Sequence, residues 1–174
     1  MRTNYHSIWL MPCAEHERRF SEVVQDLARR FGSPVFQPHL TLVEDMPRTC
    51  EELEPLLARV AEGAASFEAG VETVEGSPLY YRSLYARFPV VAPLKAMKIK
   101  AVERFGVGSI ETFVPHISLA YGVQESSDKS RAVAVLQRRM MGMGVRFDRV
   151  CIVASSQHTP IEEWAIRSYI SLRD

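Results

Sequence analysis

Two stretches of the 174-residue chain carry the same five-residue pattern. One is Pro38-His39-Leu40-Thr41-Leu42, the other Pro115-His116-Ile117-Ser118-Leu119, and the histidines lie 77 positions apart. Histidine is the side chain whose ordinary pKa, about 6.5, falls near neutral pH. Two histidines facing one substrate form a general acid–base pair. The neutral imidazole takes a proton from water or a hydroxyl, and the charged one gives a proton to a departing oxygen. Such positioned transfer contributes about 10²–10⁴-fold to rate. The hydroxyls of Thr41 and Ser118 suit hydrogen bonds to the non-bridging oxygens of a phosphate, which stabilise charge as it builds. The set fits in-line attack on a phosphodiester, a strained cyclic one included, and calls for no metal and no cofactor. Which histidine is acid and which is base stays open.

Alternate residues of a strand share a face. His39 and Thr41 therefore point one way and Leu40 and Leu42 the other, and His116 and Ser118 oppose Ile117 and Leu119. The leucine faces belong to a core and the histidine faces to a groove. By the same alternation Trp9 shares a face with Tyr5 and Ser7, and Tyr81 with Ser83 and Tyr85. Either face offers a flat surface for a nucleobase, with core packing as the default role. Strict alternation sets Tyr121 opposite His116, so it reaches the groove only if its strand ends or bulges there. His6 falls with Ile8 and Leu10. His16 opens a helix and His158 lies in a loop, both as surface residues. Lys95, Lys98 and Lys100 read as one solvated helix face.

The elements that must position these residues follow from periodicity. Residues 4–12 read as a strand. Phe20, Val23, Val24, Leu27 and Phe31 recur at helical spacing, with Gly32 as the stop. Residues 38–45 are a strand. Thr49 and Glu52 form a capping box before a helix bearing Leu53, Leu56, Leu57 and Val60. Residues 67–76 and 80–88 read as two strands joined by Gly76-Ser77-Pro78. A helix over 93–107 starts at Pro93. Residues 115–122 form a strand, residues 126–142 a helix begun by Ser126 or Ser127, and residues 146–156 and 162–172 two closing strands. Strand–helix–motif–helix–strand thus occurs twice, as a duplication. The expected fold is α+β and bilobal: one domain over 1–174, made of two pseudo-symmetric lobes, each with an antiparallel sheet and outer helices, around a central cleft.

Lys plus Arg equal Asp plus Glu at 21 each, and 47% of residues are hydrophobic. The chain is globular, and its bulk charge gives no drive toward long nucleic acids. Residues 1–87 hold 9 basic and 13 acidic residues, residues 88–174 hold 12 and 8, a mild bias toward anions in the second part. Cys13, Cys50 and Cys151 are far apart, with no CxxC pair for zinc or redox chemistry. No apolar run is long enough for a membrane, and the N-terminal stretch does not read as a signal peptide. A reduced, cytoplasmic monomer is expected.

With Ser7-Ile8-Trp9-Leu10-Met11-Pro12, the two histidine motifs, Tyr80–Phe88 and the closing strands, the whole chain resembles the two-histidine (2H) phosphoesterase superfamily, and most of all its cyclic phosphodiesterase branch. The resemblance implies a pseudo-two-fold fold around a water-filled cleft and metal-independent opening of cyclic phosphates. It implies ADP-ribose 1'',2''-cyclic phosphate and nucleoside 2',3'-cyclic phosphates as substrates, the latter leaving a 2'-phosphate. His39 and His116 become the acid–base pair, Thr41 and Ser118 hold the phosphate, and Trp9, Tyr81 and Tyr121 match aromatic positions near the substrate. The alternatives are an RNA-end processing enzyme resembling 2'-5' RNA ligases, acting on RNA 3' ends, and a nucleotide-binding module without turnover.

Overall fold

The computed structural model describes residues 5–174; Asn4, where the first strand was expected to begin, and the residues before it lie outside the described part. Strand β1 (His6–Pro12) is followed by α1 (Ala14–Phe31), β2 (Leu40–Met46) and α2 (Cys50–Ala61). Then come β3 (Phe67–Gly70), β4 (Thr73–Gly76), β5 (Leu84–Arg87), α3 (Ala92–Phe105), β6 (His116–Ala120), α4 (Ser127–Met140), β7 (Gly144–Ala154) and β8 (Ala165–Ser171). Among the described residues no helix is long and apolar enough to cross a membrane.

The strands pair in the order β3-β7-β1-β2-β6-β5-β4, with β8 also on β7, and every strand pairing is antiparallel. The fold is α+β, as expected, but the strands join into one sheet where two were expected. The join is narrow: β2 and β6 pair at Leu40 and Ile117. About that point β7-β1-β2 mirrors β4-β5-β6. The helices follow the same relation with an exchange. Helix α1 packs on β6 and α3 on β2, while α2 lies on β7 and α4 on β4. The first helix of each repeat thus covers the motif strand of the other.

Local chemistry explains the helix ends. Thr49 accepts from the Glu52 N–H and the Glu52 carboxylate accepts from the Thr49 N–H, the capping box read in the sequence. The equivalent helices α1 and α3 both stop at a left-handed glycine, Gly32 at φ 68° and Gly106 at φ 71°, whose N–H returns to a carbonyl four residues back. One apolar stripe of α1, with Phe20, Val23, Val24 and Leu27, is buried.

Three expectations fail in the middle of the chain. Residues 67–76 are two strands. The Val71 N–H donates to Met143 O and the Glu72 N–H to Arg87 O, so the chain passes from one end of the sheet to the other between adjacent residues. Tyr80–Arg82 form a 3-10 turn. Ser77 closes it, its hydroxyl donating to Arg82 O at 2.5 Å and accepting from the Leu79 N–H. Tyr81 therefore does not share a strand face with Ser83 and Tyr85. Ser83 is buried instead and its hydroxyl donates to Val123 O. Lys98 also departs from the expected solvated face. It is buried, its ammonium donates to Leu42 O at 2.6 Å and lies 4.7 Å from the Phe113 ring centre, whereas Lys95 and Lys100 are exposed.

Candidate active site

The narrow join of the sheet sets the geometry of the site. Leu40 and Ile117 are fully buried and pair across β2 and β6. Extending that register by one residue either way sets His39 across from Ser118 and Thr41 across from His116. Alternation puts all four on the face opposite the two aliphatic side chains. They line one cavity of about 370 Å³, within the range of small-ligand sites. Trp9, Tyr81 and Tyr121 line it too. Tyr121 reaches the cavity because β6 ends at Ala120.

Each histidine is tethered in the same way. His39 Nδ1 lies 2.7 Å from Gln37 O, and His116 Nδ1 lies 2.8 Å from Val114 O. A carbonyl only accepts, so both Nδ1 atoms carry the proton. That leaves each Nε2 for chemistry. Each ring is also backed by an aromatic residue of the adjacent strand. Trp9 pairs with Thr41 across β1 and β2 and stacks on His39, ring centres 3.4 Å apart. Tyr85 pairs with Ser118 across β5 and β6 and meets His116 edge-on at 5.4 Å.

Burial disfavours the charged imidazole of both. It drives the His39 pKa down to about 3, against the bond to the Gln37 carbonyl, and His116 lowers it further. Burial also lowers the His116 pKa, offset in part by the Val114 carbonyl, and the Arg82 charge acts in the same direction as burial. The Ser118 hydroxyl donates to Tyr81 O at 2.8 Å. It must turn from that carbonyl to donate to a ligand. Tyr121 is buried and stacks on Phe36 at 3.8 Å, so its ring is both core and cavity wall.

Of the other histidines, His6 Nδ1 bonds to Arg48 O and His16 Nδ1 accepts the Arg146 N–H. The exposed His158 lies in the loop after β7. Among the described residues no three His, Cys, Asp or Glu side chains cluster as metal ligands do.

Trp164, Ser155 and Arg82 also line the cavity and were not expected there, whereas Ser7 lies on the face that alternation shares with Trp9. Trp164 meets Trp9 edge-on at 5.9 Å and lies 6.2 Å from Tyr81, and its indole N–H donates to Thr159 O. Ser7 and Ser155 share a 2.5 Å hydrogen bond at the wall. Arg82 lines the cavity from the 3-10 turn. Only Arg82 carried a usable signal, a lone basic residue inside the aromatic run Tyr80–Tyr85.

Paired histidine–hydroxyl strands across a pseudo-two-fold cleft define the class of two-histidine phosphoesterases. Residues 5–171 match the family model described as cyclic phosphodiesterase-like protein, and the chain belongs to that family. It is 20% identical over 168 residues to a cyclic phosphodiesterase of Arabidopsis thaliana, covering 94% of this chain and 93% of that one. The fold is similar to that of E. coli LigT complexed with 3'-AMP, with a TM-score of 0.65 at 13% identity, covering 99% and 100% of the two chains. It is also similar to TT0787 of Thermus thermophilus, with a TM-score of 0.63 at 20% identity, covering 97% and 98%. The chain is thus an enzyme of the cyclic phosphodiesterase type.

Proposed function

We propose that the cleft opens nucleoside 2',3'-cyclic phosphates and ADP-ribose 1'',2''-cyclic phosphate by attack of water. One observation carries this reading: both histidine–hydroxyl pairs line a single cavity, each imidazole tethered through Nδ1 so that Nε2 is left for proton transfer. One Nε2 takes a proton as water oxygen bonds to phosphorus. The other Nε2, protonated, gives its proton to the ribose oxygen whose bond to phosphorus breaks. Thr41 and Ser118 hold the non-bridging oxygens, and the stacked surfaces of Trp9, Tyr81 and Tyr121 carry the nucleoside.

The test is product analysis with each cyclic phosphate, chelator present. Turnover is expected, with a 2'-phosphate from the nucleosides. His39→Ala and His116→Ala should each lower the rate by about 10²–10⁴-fold in folded protein. Full activity in either variant removes that histidine from the mechanism. A rate lost to chelator and restored by a divalent metal overturns the metal-free reading.

A further inference from the structure

Five cationic side chains of the described residues are buried or half-buried, and four of them have partners. Arg87 lies within 4 Å of Glu72 and Glu75. Lys98 donates to Leu42 O, Lys129 to Ser77 O and Glu125, and Arg149 to Glu17 and Asp148. The fifth is Arg82. Its Nε is buried and has no hydrogen-bond partner among the described residues. A buried donor on a charged group is costly to leave unmatched, and native proteins match nearly all of them.

The position of Arg82 says what would match it. Its guanidinium carbon stands 5.4 Å from the centre of the Tyr85 ring, the same ring that meets His116 edge-on. The 3-10 turn that carries it also supplies Tyr81 O, which receives the Ser118 hydroxyl. Arg82 thus lines the cavity beside the second histidine–hydroxyl pair. Guanidinium binds phosphate oxygens through charge-assisted, often bidentate hydrogen bonds. The turn matters here, because on a continuous strand Arg82 would alternate away from Tyr81.

We propose that Arg82 is a phosphate-holding residue of the cleft that favours doubly charged phosphoryl states over the singly charged cyclic diester. The proposal rests on reading the cleft as a phosphoester site. A cyclic phosphodiester carries one negative charge. Once water oxygen has bonded to phosphorus and its proton has passed to a histidine, the phosphoryl group carries a second. As the ribose oxygen leaves with a proton, the monoester keeps the second hydrogen of the attacking water and a single charge. It becomes a dianion again once that proton is lost to solvent, as a phosphate monoester does above pH about 6. Hydroxyls stabilise such charge by dipoles alone, and a guanidinium supplies a full positive charge.

Inorganic phosphate near pH 7.5, mostly the dianion, is the probe, with binding followed by calorimetry on the full chain. Wild type should bind it, Arg82→Gln should bind it at least about tenfold more weakly, and Arg82→Lys should recover part of the loss. With a cyclic substrate, Arg82→Gln should lower kcat more than it raises KM, because the second charge appears only after attack. Unchanged phosphate affinity in a folded Arg82→Gln variant overturns the proposal, as does equal loss in Arg82→Gln and Arg82→Lys. Absence of phosphate binding by wild type overturns it too. Wild-type turnover is a separate measurement. If wild type turns over no cyclic phosphate, the proposed function fails, while the phosphate titration still decides whether Arg82 holds the anion.

Discussion

The indole of Trp9 lies flat on the imidazole of His39, with ring centres 3.4 Å apart and planes 5° from parallel. Trp9 is itself buried, packed with Met11, Cys151 and Val153. The imidazole thus has a hydrophobic wall on one face and the Gln37 carbonyl on Nδ1. Together these fix which way Nε2 points. Trp9→Ala should cost about 3–5 kcal/mol of stability as a large-to-small core substitution. Trp9→Phe keeps part of the stack and should fold, with a lower kcat. Urea unfolding and steady-state kinetics check both. Wild-type kcat in Trp9→Phe shows that the full indole is not needed to orient His39.

The pH profile of hydrolysis should be displaced toward acid. An acid–base pair acts with one proton shared between its members, and the profile of kcat/KM reports the free enzyme. Both histidines have pKa values pushed below the ordinary 6.5. The bell should therefore peak below pH 6.5 and fall on the alkaline side. A maximum at pH 7.5 or above contradicts the burial that sets these values.

Stability should fall as the solution is acidified below pH about 6.5. The folded His39 resists protonation down to a pKa of about 3, while the unfolded chain takes up the proton near 6.5. Between these values the unfolded state binds more protons, so stability rises with pH and is lost as pH drops. The limiting slope is about 1.4 kcal/mol per pH unit for one such group. Denaturant unfolding of wild type and His39→Phe at pH 7 and pH 5 isolates the contribution. The variant should lose less on acidification, and equal losses assign the effect to other groups.

Lys98 ties helix α3 to strand β2 directly beside Thr41, by its bond to Leu42 O. Burial pulls its pKa down and the Glu44 charge pushes it up. Lys98→Ala leaves the carbonyl without this donor and removes the ammonium from the Phe113 face. A loss of about 1–3 kcal/mol is expected, with a rise in KM if β2 shifts. Thermal unfolding and kinetics check it, and an unchanged midpoint marks the tie as dispensable.

A close approach at Gly122 braces the wall of the cleft. Its φ is +64° and its N–H donates to Tyr80 O at 2.8 Å, while an added Cβ would come within 2.5 Å of the Tyr80 ring. Gly122→Ala should cost about 1–3 kcal/mol and disturb the turn carrying Tyr81 and Arg82. Unfolding midpoints and KM measured on the same preparation check it.

Most of the site was legible in the sequence because its signals are local. Two matching motifs fix alternation, and alternation fixes which side chains face away from Leu40 and Ile117 without knowledge of the partner strand. The capping box at Thr49 and the glycine stop after α1 are likewise decided within a few residues. What escaped was decided by contacts distant in sequence. Val71 and Glu72 take partners at Met143 and Arg87, so an unbroken strand pattern splits in two. Lys98 sits on a helix whose spacing reads as solvated, and only packing of α3 on β2 brings it to Leu42 O. Trp164 joins the cavity wall from the far end of the chain. Local pattern alone picks out the two histidine–hydroxyl pairs and the faces they take. Tertiary structure decided that the two faces meet at one narrow strand pairing, that each ring is buried enough to hold its charge down, and that Arg82 stands beside them with its Nε unmatched among the described residues.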